Sequence, residues 1–583
     1  MNRKIFFLFP VITMALSLAI ACTKVYENKD EDTSDDTDYS AEEAASDYEW
    51  NSSEVINITL NGTSATADGA GVSIAGSVVT ITASGTYKAT GSLTNGQIIV
   101  DSNDDNVVRL IFNGVNITCT TSSPVYVKDA GKAVIILADN TSNYLTDGTS
   151  YTFDDTGNSE PNAPLFSKSY MSIFGTGSLI VDGNYGDGIV GKDGLVIKSG
   201  TVNVTAADDG IRGKDYIVVW DGNITVNSGG DGLKSNNDND DTVGFITIND
   251  GTFNITSGCD AISATTKVHI AYADMTIISG GGSSVSNTSA LSKKGIKGTT
   301  GLVIDDGNIS INSSDDGLHS HGPVTMNNGT VAISTADDAI HSEVSITVNN
   351  GDLTISKSYE SIEAPAIVIN GGNISFVASN DGFNASKGNG GEQDDGCTLA
   401  INGGYIVANV SNGDGMDSNG SATMTGGTMI IHGPSSAPEV AMDINGSFNV
   451  SGGFIIAAGP NSGNMIEGPS TTSAQYSVLI SGQITGGQPG QQGGSTTIFS
   501  SSSLVNIQDA SGNSLVTFKP ARNAYYIVFS ASALTTGTTY NLYTGGTSTG
   551  TYKDGLYVGG SYSGGTLKKS FTLSGKLTSV TVN

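Results

Sequence analysis

The chain has 583 residues, 77 of them glycine, and its 57 acidic against 26 basic side chains give a formal net charge of −31. Without a basic stripe to neutralise phosphates, this composition excludes a nucleic-acid partner. The same charge repels acidic glycans unless cations intervene, and so many carboxylates in an exported chain favour Ca²⁺, which several oxygens bind together. The alternative is that the charge only keeps a long β-structure soluble.

The first 21 residues predict an export signal. Residues 2–4 form a basic start, residues 5–20 are apolar, and Ala21 stands before Cys22. Such an apolar run is typical of a signal peptide and too short for a membrane-spanning helix. The small residue before Cys22 fits a lipoprotein cleavage site, with acylation of Cys22, and ordinary cleavage nearby is the alternative. We therefore expect an exported protein of the bacterial cell envelope, at the outer membrane or cell surface, whose only membrane contact is a lipid anchor.

Residues 22–49 are predicted to form a disordered tether, residues 50–470 the main folded domain, and residues 471–583 a C-terminal β cap or small β domain. The tether segment is acidic and holds too few apolar residues to bury a core. The main segment is rich in Gly, Ser, Thr, Asn and Asp and poor in Pro, which is typical of many short strands and turns.

One phrase recurs between residues 186 and 445: a charged residue, a small residue and then an apolar residue. Its first residues are Asp187, Asp209, Asp231, Asp260, Lys294, Asp316, Asp338, Glu360, Asp381 and Asp414. Several of the steps between successive copies, such as that from Asp187 to Asp209, are 22 residues. Each unit also contains two alternating strands joined by a tight Asn-Gly, Asp-Gly or Gly-Gly turn.

Stacking these units as coils of a solenoid buries every inward aliphatic residue on its copy in the next coil. We therefore predict an all-β fold, a right-handed parallel β-helix whose strands lie about 4.8 Å apart. A β-propeller is excluded because each of its blades needs about 40 residues or more. The phrase disappears after about residue 470, and the tyrosine-rich sequence that follows is interpreted as the C-terminal cap.

An acidic insertion marks the best metal candidate. The step from Asp231 to Asp260 is 29 residues, and its excess carries residues 237–241, where Asn and Asp alternate. Several oxygens within one short loop are what Ca²⁺ requires. The candidate metal ligands in and beside this loop are Asp208, Asp209, Asp231, Asp238, Asp240, Asp241 and Asp260. Two alternatives stay open: a solvated acidic loop, and aspartates that cap the corner turn with their own side chains.

A column of polar side chains follows the apolar residue of each phrase. Because side chains alternate along a strand, the residue after an inward one points outward. The candidate ligand-binding residues in this column are Arg212, Lys234, Lys297, His319, His341 and Glu363. They repeat beside the acidic residues at about 4.8 Å, so this is the face where we expect a ligand. The alternative interpretation is a solvent-exposed column that preserves the fold alone.

The phrase and its surroundings resemble a known family. Five segments carry the resemblance, in chain order: residues 208–211, 231–238, 260–264, 280–283 and 294–297. They are similar to motifs of the carbohydrate-binding β-helix family first described in a cellulose-degrading clostridium, whose fold is like that of pectate lyases. The resemblance implies a polysaccharide-binding protein with cellulose and polygalacturonate as ligands and several calcium ions. In the related lyases a lysine acts as the base, and Lys234 and Lys297 are the residues here that could answer to it.

Three functions follow. The first is a non-catalytic, calcium-assisted binder of a pectin-like or cellulose-like polysaccharide laid along the rod. The second is a calcium-dependent polysaccharide lyase, in which Lys234 or Lys297 abstracts a proton. The third is a surface adhesin or structural rod. A monomer is expected in each case, and the sequence does not identify the glycan.

Overall fold

A computed structural model of the chain describes residues 43–153, 159–388, 393–483 and 497–582. The predicted signal peptide, Cys22 and most of the predicted tether lie outside the described residues. Three short 3-10 helices are present in the described part, at Ala45–Tyr48, Ser52–Glu54 and Gly463–Met465. No described helix is long or apolar enough to cross a membrane. Almost all remaining regular structure is β-strand.

The first of three long sheets, the short-strand sheet, has 16 strands, and all its pairs are parallel except the first. Its strands are Val72–Ala75, Val78–Ile81, Gln97–Asp101, Val125–Asp129, Leu165–Ser167, Ile189–Gly191, Ile211–Gly213, Leu233–Ser235, Ile262–Ala264, Ile296–Gly298, Leu318–Ser320, Ile340–Ser342, Ile362–Glu363, Phe383–Ala385, Met416–Ser418 and Asp443–Ile444. Most of them hold only three residues, because the outward corner on either side begins at once.

The second sheet, the middle sheet, is built from parallel pairs throughout. Its strands are Lys132–Leu137, Met171–Gly175, Gly194–Ile197, Tyr216–Val219, Phe245–Ile248, Lys267–Ile270, Gly301–Ile304, Val324–Met326, Ile346–Val348, Ala366–Ile369, Cys397–Ile401, Gly420–Met424 and Phe448–Val450. Each of its strands follows a strand of the short-strand sheet in the chain.

The third sheet, the long-strand sheet, is also parallel along its length. Its strands are Ser142–Asp147, Ser178–Gly183, Thr201–Ala206, Asn223–Ser228, Thr252–Ser257, Asp274–Ser279, Asn308–Ser313, Thr330–Thr335, Asp352–Ser358, Asn373–Ala378, Tyr405–Val410, Thr428–His432 and Phe454–Gly459. At the N-terminal end, the strands Ile56–Gly62, Gly85–Leu93 and Val107–Cys119 continue both the middle and the long-strand sheets, with Ala65–Ala67 paired antiparallel to the first of them.

The chain visits the three sheets in turn, and we call one such set of three strands a coil. Each strand pairs in parallel with the strand that occupies the same place in the next coil, so that Ile189 lies beside Ile211 and Ile211 beside Leu233. These three side chains are fully buried, as the inward position of the phrase predicts. The predicted all-β structure with long parallel sheets is confirmed, whereas its right-handed winding as a β-helix stays a prediction.

The turn between the middle and long-strand sheets requires glycine. Gly329 and Gly351 have φ angles of 97° and 100°, in the left-handed region that glycine adopts without strain. A Cβ atom on Gly351 would also lie 2.5 Å from the carbonyl oxygen of Gly329 in the preceding coil. Backbone conformation and close stacking therefore both select glycine, which explains the tight turns that recur in the sequence.

The folded part begins before residue 50, where the sequence had placed its boundary. The Nζ atom of Lys132 lies 2.8 Å from Oδ2 of Asp47, and both residues are buried. Arg109 donates from Nε to the carbonyl oxygen of Asp47 at 2.8 Å. The assignment of residues 43–49 to a disordered tether is therefore wrong, because these acidic residues find basic partners on the sheets that composition alone does not reveal.

The C-terminal part closes the stack with antiparallel strands. Phe454–Gly459, the last strand of the long-strand sheet, pairs antiparallel with Tyr526–Ser530. The strands Ser477–Ser481 and Leu577–Thr581 continue this edge. A separate six-stranded antiparallel sheet follows, with strands Val505–Asp509, Ser514–Phe518, Thr539–Ser548, Thr551–Lys553, Leu556–Val558 and Tyr562–Thr572. Its apolar face adds a second hydrophobic cluster that packs on the last coils.

Candidate functional site

The acidic residues of the phrase, here called the corner carboxylates, stand where the chain enters each short strand. The Oδ1 atom of Asp187 accepts a hydrogen bond from the backbone N–H of Asp209 at 3.2 Å, and Oδ1 of Asp209 accepts one from Asp231 at 2.9 Å. The same bond recurs from Asp231 to Asp260, Asp260 to Lys294, Asp316 to Asp338, Asp338 to Glu360, Asp381 to Asp414 and Asp414 to Val440. One oxygen of most corner carboxylates therefore satisfies a backbone donor of the next coil.

The second carboxylate oxygen meets the column that was predicted to bind a ligand. Arg212 donates from Nε to Oδ2 of Asp187 at 2.9 Å. Nζ of Lys234 lies 3.1 Å from Oδ2 of Asp209 and 2.9 Å from Oδ2 of Asp231. These column cations are therefore occupied by the corner carboxylates rather than directed freely at solvent.

Burial and these ion pairs set opposing trends in acidity. Burial raises the pKa of Asp231 to about 6, and the neighbouring ammonium of Lys234 offsets only part of that effect. Burial opposes the charge of Lys234, but the carboxylates of Asp231 and Asp209 outweigh it and raise the pKa of this ammonium. A lysine held protonated in this way is a poor general base. Of the two predicted base candidates, Lys234 is therefore disfavoured by its environment.

Lys297 is the exception in the column. It lies in register between Ser263 and His319 and is half-buried. Within the described part of the chain, its ammonium has no ion-pair or hydrogen-bond partner. Lys297 is therefore the column cation that remains available to an anionic or hydroxyl-rich ligand.

The coil of Asp316 is the most fully neutralised. Nζ of Lys294, which replaces the acid in the preceding coil, lies 2.7 Å from both Oδ1 of Asp315 and Oδ2 of Asp316. Nδ1 of His319 lies 2.8 Å from the same Oδ2 of Asp316. Burial opposes the charge of Asp316, but these partners outweigh it and lower the pKa of its carboxyl to about 2. Asp316 therefore stays ionised and holds both cationic groups in place.

The next coil stacks a second imidazole on the first. The rings of His319 and His341 lie parallel with centroids 5.1 Å apart. Nδ1 of His341 lies 2.8 Å from Oε2 of Glu363 and 3.5 Å from Oδ2 of Asp338. Burial disfavours the charge of His341, but these carboxylates outweigh it and raise its pKa to about 10. The alternative interpretation of a solvent-exposed column is wrong at His319, which is buried because the side chain of Asp316 reaches over it.

Farther along the face, the corner carboxylates have amide partners. Glu360 accepts hydrogen bonds from Nδ2 of Asn384 at 2.6 Å and from Nδ2 of Asn380 at 3.1 Å. Burial raises the pKa of Glu360 to about 7 and that of Asp414 to about 9. This part of the face therefore has carboxyl groups that resist ionisation.

The predicted metal ligands are only partly brought together. Asp208 and Asp209 form a group with Asp187 in which one oxygen of each lies within 4.8 Å of the others. The loop acids Asp238, Asp240 and Asp241 are exposed, and Oδ1 of Asp240 accepts hydrogen bonds from the N–H and hydroxyl of Thr242 in its own turn. In the described residues these loop acids join no group of possible metal ligands. The loop geometry fits the predicted alternative of a solvated acidic turn.

Two further groups of possible metal ligands were missed by the sequence. They are Asp315, Asp316 and Asp337, and Asp338, His341 and Glu363. The missed signal was available, because Asp187, Asp316 and Asp338 all begin copies of the phrase. Attention to the acidic insertion drew the prediction away from acids that stack in register.

Aromatic side chains divide between the core and the surface. Tyr216 is buried between Tyr170 and Phe245, and it is not available to a ligand. Tyr359 is 49% exposed and directly precedes the corner residue Glu360. An exposed ring beside a polar face can stack on an apolar face of a sugar. Tyr359 is therefore the aromatic side chain best placed to accompany Lys297.

A separate cleft lies at the N-terminal end, away from the short-strand face. It has a volume of about 520 Å³, and its lining includes Trp50, Phe174, Lys88 and Asp139. Trp50 is 38% exposed at its edge. No sequence pattern indicated this cleft, because Trp50 belongs to a segment outside the repeat.

Comparison with known proteins narrows the class of ligand. Residues 75–339 match the model of the carbohydrate-binding domain-containing protein family. The matched range contains the corner carboxylates from Asp187 to Asp338 and the free cation Lys297. The carbohydrate-binding family thus covers the better-paired part of the short-strand face.

Individual relatives cover less of the chain. A carbohydrate-binding domain-containing protein from Acetivibrio thermocellus is 40% identical over 136 residues, which are 23% of this chain and 48% of that protein. The chain thus spans about half the length of this curated relative. A solved structure of the polysaccharide lyase-like protein from C. thermocellum, a gadolinium derivative, is 35% identical, covers 38% of this chain and 90% of that protein, and has a TM-score of 0.38.

Proposed function

We propose that this chain is an exported, lipid-anchored protein that binds polysaccharide without cleaving it. It winds as a right-handed parallel β-helix and holds an extended glycan along its short-strand face. The observation that carries the proposal is the match of residues 75–339 to the carbohydrate-binding family, since these residues form the coils that present Lys297.

The proposed binding surface runs over five coils, from Ser263 to Glu363. Its column residues repeat at about 4.8 Å, so the surface is about 19 Å long and accommodates several sugar units. The loop of residues 236–244 follows the short strand before this stretch, and the insertion after Phe383–Ala385 follows the short strand beyond it. Both ends of the surface are therefore marked by insertions, which is where solenoids place binding loops.

The ligand chemistry follows from the charges on this surface. Lys297 provides one free ammonium for a uronate carboxylate or for sugar hydroxyls, and Tyr359 provides an exposed ring. The net charge of −31 opposes a polyanion unless cations bridge it, so a polygalacturonate-like glycan binds only with cation help and a neutral glucan binds without it.

Calcium is the proposed helper ion. The oxygen donors of Asp187, Asp208 and Asp209 suit a hard cation. Arg212 and Lys234 contact two of these carboxylates and compete with it, so the exposed carboxylate of Asp208 is the main donor left for an ion. When bound, calcium supplies positive charge for a sugar carboxylate.

The placement of the protein is part of the proposal. Acylation of Cys22 anchors the chain in the bacterial cell envelope, and the residues up to the described segment at 43 connect the lipid to the folded part. The protein acts as a monomer, with the membrane contacted only through its lipid. Mass spectrometry of the chain from membranes tests this directly: a diacyl or triacyl mass on Cys22 supports the anchor, and an unmodified peptide contradicts it.

The binding proposal is tested by calorimetry on the full chain purified in detergent. Calcium-loaded and chelator-treated protein is titrated with polygalacturonate and with soluble glucans, and the same samples are read for the absorbance of unsaturated uronate products. Saturable binding without product supports the proposal. Absence of binding to either polymer in both states overturns it and favours an adhesin or structural rod.

A lyase is the second candidate, and the free ammonium of Lys297 is the observation that favours it. A lysine without carboxylate partners loses its proton more readily than Lys234, and it can then abstract the proton next to a uronate carboxylate. Time-dependent product absorbance that disappears in Lys297→Ala establishes this activity. A polymer that binds and stays intact excludes it for that polymer.

A further inference from the structure

We propose that Asp338, His341 and Glu363 form a binding site for a first-row divalent cation such as Zn²⁺. The three residues offer one imidazole nitrogen and two carboxylate oxygens, and these atoms all lie within 4.8 Å of one another. Imidazole with carboxylates is a donor set for zinc and its neighbours in the periodic table, whereas calcium prefers oxygen alone. The site is therefore of a different class from the calcium proposed at Asp208.

The distances suit a small ion. Nδ1 of His341 lies 2.8 Å from Oε2 of Glu363 and 3.5 Å from Oδ2 of Asp338. A tetrahedral ion with bonds of about 2.0–2.2 Å holds its ligand atoms about 3.3 Å apart. The two observed separations lie on either side of that value, so small side-chain adjustments complete the geometry.

The backbone orients two of the ligands in advance. His341 and Glu363 are register partners on adjacent short strands, which keeps their side chains on one face. Oδ1 of Asp338 accepts the backbone N–H of Glu360 at 3.1 Å, which turns Oδ2 towards His341. Hydrogen bonds of this kind fix a ligating carboxylate and raise its affinity for metal.

The local charge favours a cation. The other two groups of possible metal ligands already contain a permanent cation, Arg212 at Asp187 and Lys294 at Asp315 and Asp316. Among the described residues, no lysine or arginine forms an ion pair with Asp338 or Glu363. Two carboxylates with a single imidazole leave excess negative charge that a divalent ion neutralises.

A buried oxygen nearby strengthens this assignment. Asn384 is the register partner of Glu363 and is only 8% exposed. Its Nδ2 atom donates to Glu360, but its Oδ1 atom has no hydrogen-bond partner among the described residues. A buried amide oxygen without a partner is costly, and it suits a water or a further ligand on a bound ion.

The test uses the full chain in detergent, stripped with chelator and then kept in excess calcium so that oxygen-only sites are filled. Zn²⁺ is titrated by calorimetry, and Co²⁺ is titrated while its visible absorption reports the ligand geometry. We expect one saturable ion per chain. Binding replaces the proton shared by His341 and the carboxylates, so the measured heat changes with the ionisation enthalpy of the buffer.

Two variants and a matched control decide the location. Glu363→Gln weakens Zn²⁺ binding at least about tenfold, since even changes behind the ligands cost that much. Asp338→Asn does the same while keeping the Oδ1 atom that caps Glu360, so it tests the site if the first variant perturbs the fold. The control is Glu343→Gln, because Glu343 lies 3.7 Å from an exposed imidazole, that of His321, without a third ligand. Parent protein that binds no Zn²⁺, or variants that bind like the control, overturn the proposal, and neither result bears on glycan binding.

Discussion

Two parts of the short-strand face use the same corner geometry with different charge compensation. In the cation-paired part, lysine or arginine contacts the corner carboxylates, as Lys294 does at Asp316, where the pKa is about 2. In the burial-shifted part, represented by Glu360 and Asp414, the described residues supply no such ion pair, and the pKa values are about 7 and about 9. Asp231 lies between these limits at about 6, because it shares Lys234 with Asp209.

The difference separates two roles of one carboxylate. Asp316 and Asp414 each accept a backbone N–H from the next coil, so the structural role is common to both parts. The charge state depends on what reaches the second oxygen. A repeat can thus keep its backbone bonds while its surface changes from paired charges to groups that accept a proton or a metal ion.

Removing a cation from the paired part has the largest expected effect. Lys294→Met leaves the buried carboxylates of Asp315 and Asp316 without their ammonium, and the free energy of unfolding falls by about 3–5 kcal/mol. Urea unfolding measures this loss. Lys128→Met is the control, because Lys128 and Asp101 form an exposed pair whose removal costs less than about 1 kcal/mol. A Lys294→Met protein as stable as this control contradicts the comparison.

The burial-shifted part predicts a pH dependence with a definite sign. Because the pKa of Asp414 is raised to about 9, the folded protein holds a proton that the unfolded chain releases near pH 4. Stability is therefore full below about pH 4 for this group and falls as the pH rises towards 9, by on the order of 3 kcal/mol.

Asp414→Asn removes this proton while its Oδ1 atom still accepts the N–H of Val440. Urea midpoints between pH 5 and pH 9 then fall less steeply than in the parent. Asp241→Asn, at an exposed loop acid, leaves the parent slope unchanged. A parent slope that persists in Asp414→Asn assigns the pH dependence elsewhere.

The comparison also separates binding from stability among the column lysines. Lys297→Ala weakens polygalacturonate binding about tenfold, or about 1.4 kcal/mol, and leaves the unfolding midpoint unchanged, because its ammonium has no described partner. Lys234→Ala has the opposite profile, since it leaves Asp209 and Asp231 unpaired. Calorimetry and urea unfolding of both variants measure the two effects, and equal profiles would contradict the assignment.

The smallest expected effect concerns calcium. Asp208→Asn removes the exposed oxygen donor beside Asp187 and Asp209 and weakens Ca²⁺ binding by a few-fold, while Asp240→Asn changes little because its carboxylate caps its own turn. Calcium titration of both variants by calorimetry distinguishes them. A larger loss in Asp240→Asn restores the acidic loop as the calcium site.

Much of the fold could be predicted from the sequence. The 22-residue step places Asp187, Asp209 and Asp231 one above another, and the alternation of strands places Ile211 and Leu233 inside. Both follow from local periodicity, which the stacked backbone preserves. The tight glycine turns follow for the same reason.

The parts that could not be predicted depend on how far side chains reach. Asp316 bends over the face to His319 three residues later, so a position expected in solvent is buried. Asp47 finds Lys132 across a long sequence separation, which brings an acidic segment into the fold. The candidate metal groups likewise depend on contacts between coils, whereas the sequence drew attention to consecutive loop acids such as Asp240.

The central claim is that the short-strand face binds the glycan, and the most direct measurement compares two variants of the full chain by calorimetry with the polymer that the parent binds. The double variant Lys297→Ala/Tyr359→Ala changes the proposed face, and Trp50→Ala changes the N-terminal cleft. We predict that the double variant loses at least about tenfold in affinity, a cost of about 1.4 kcal/mol, while Trp50→Ala binds like the parent. Loss of binding in Trp50→Ala with full binding in the double variant would contradict the account and move the site to the cleft.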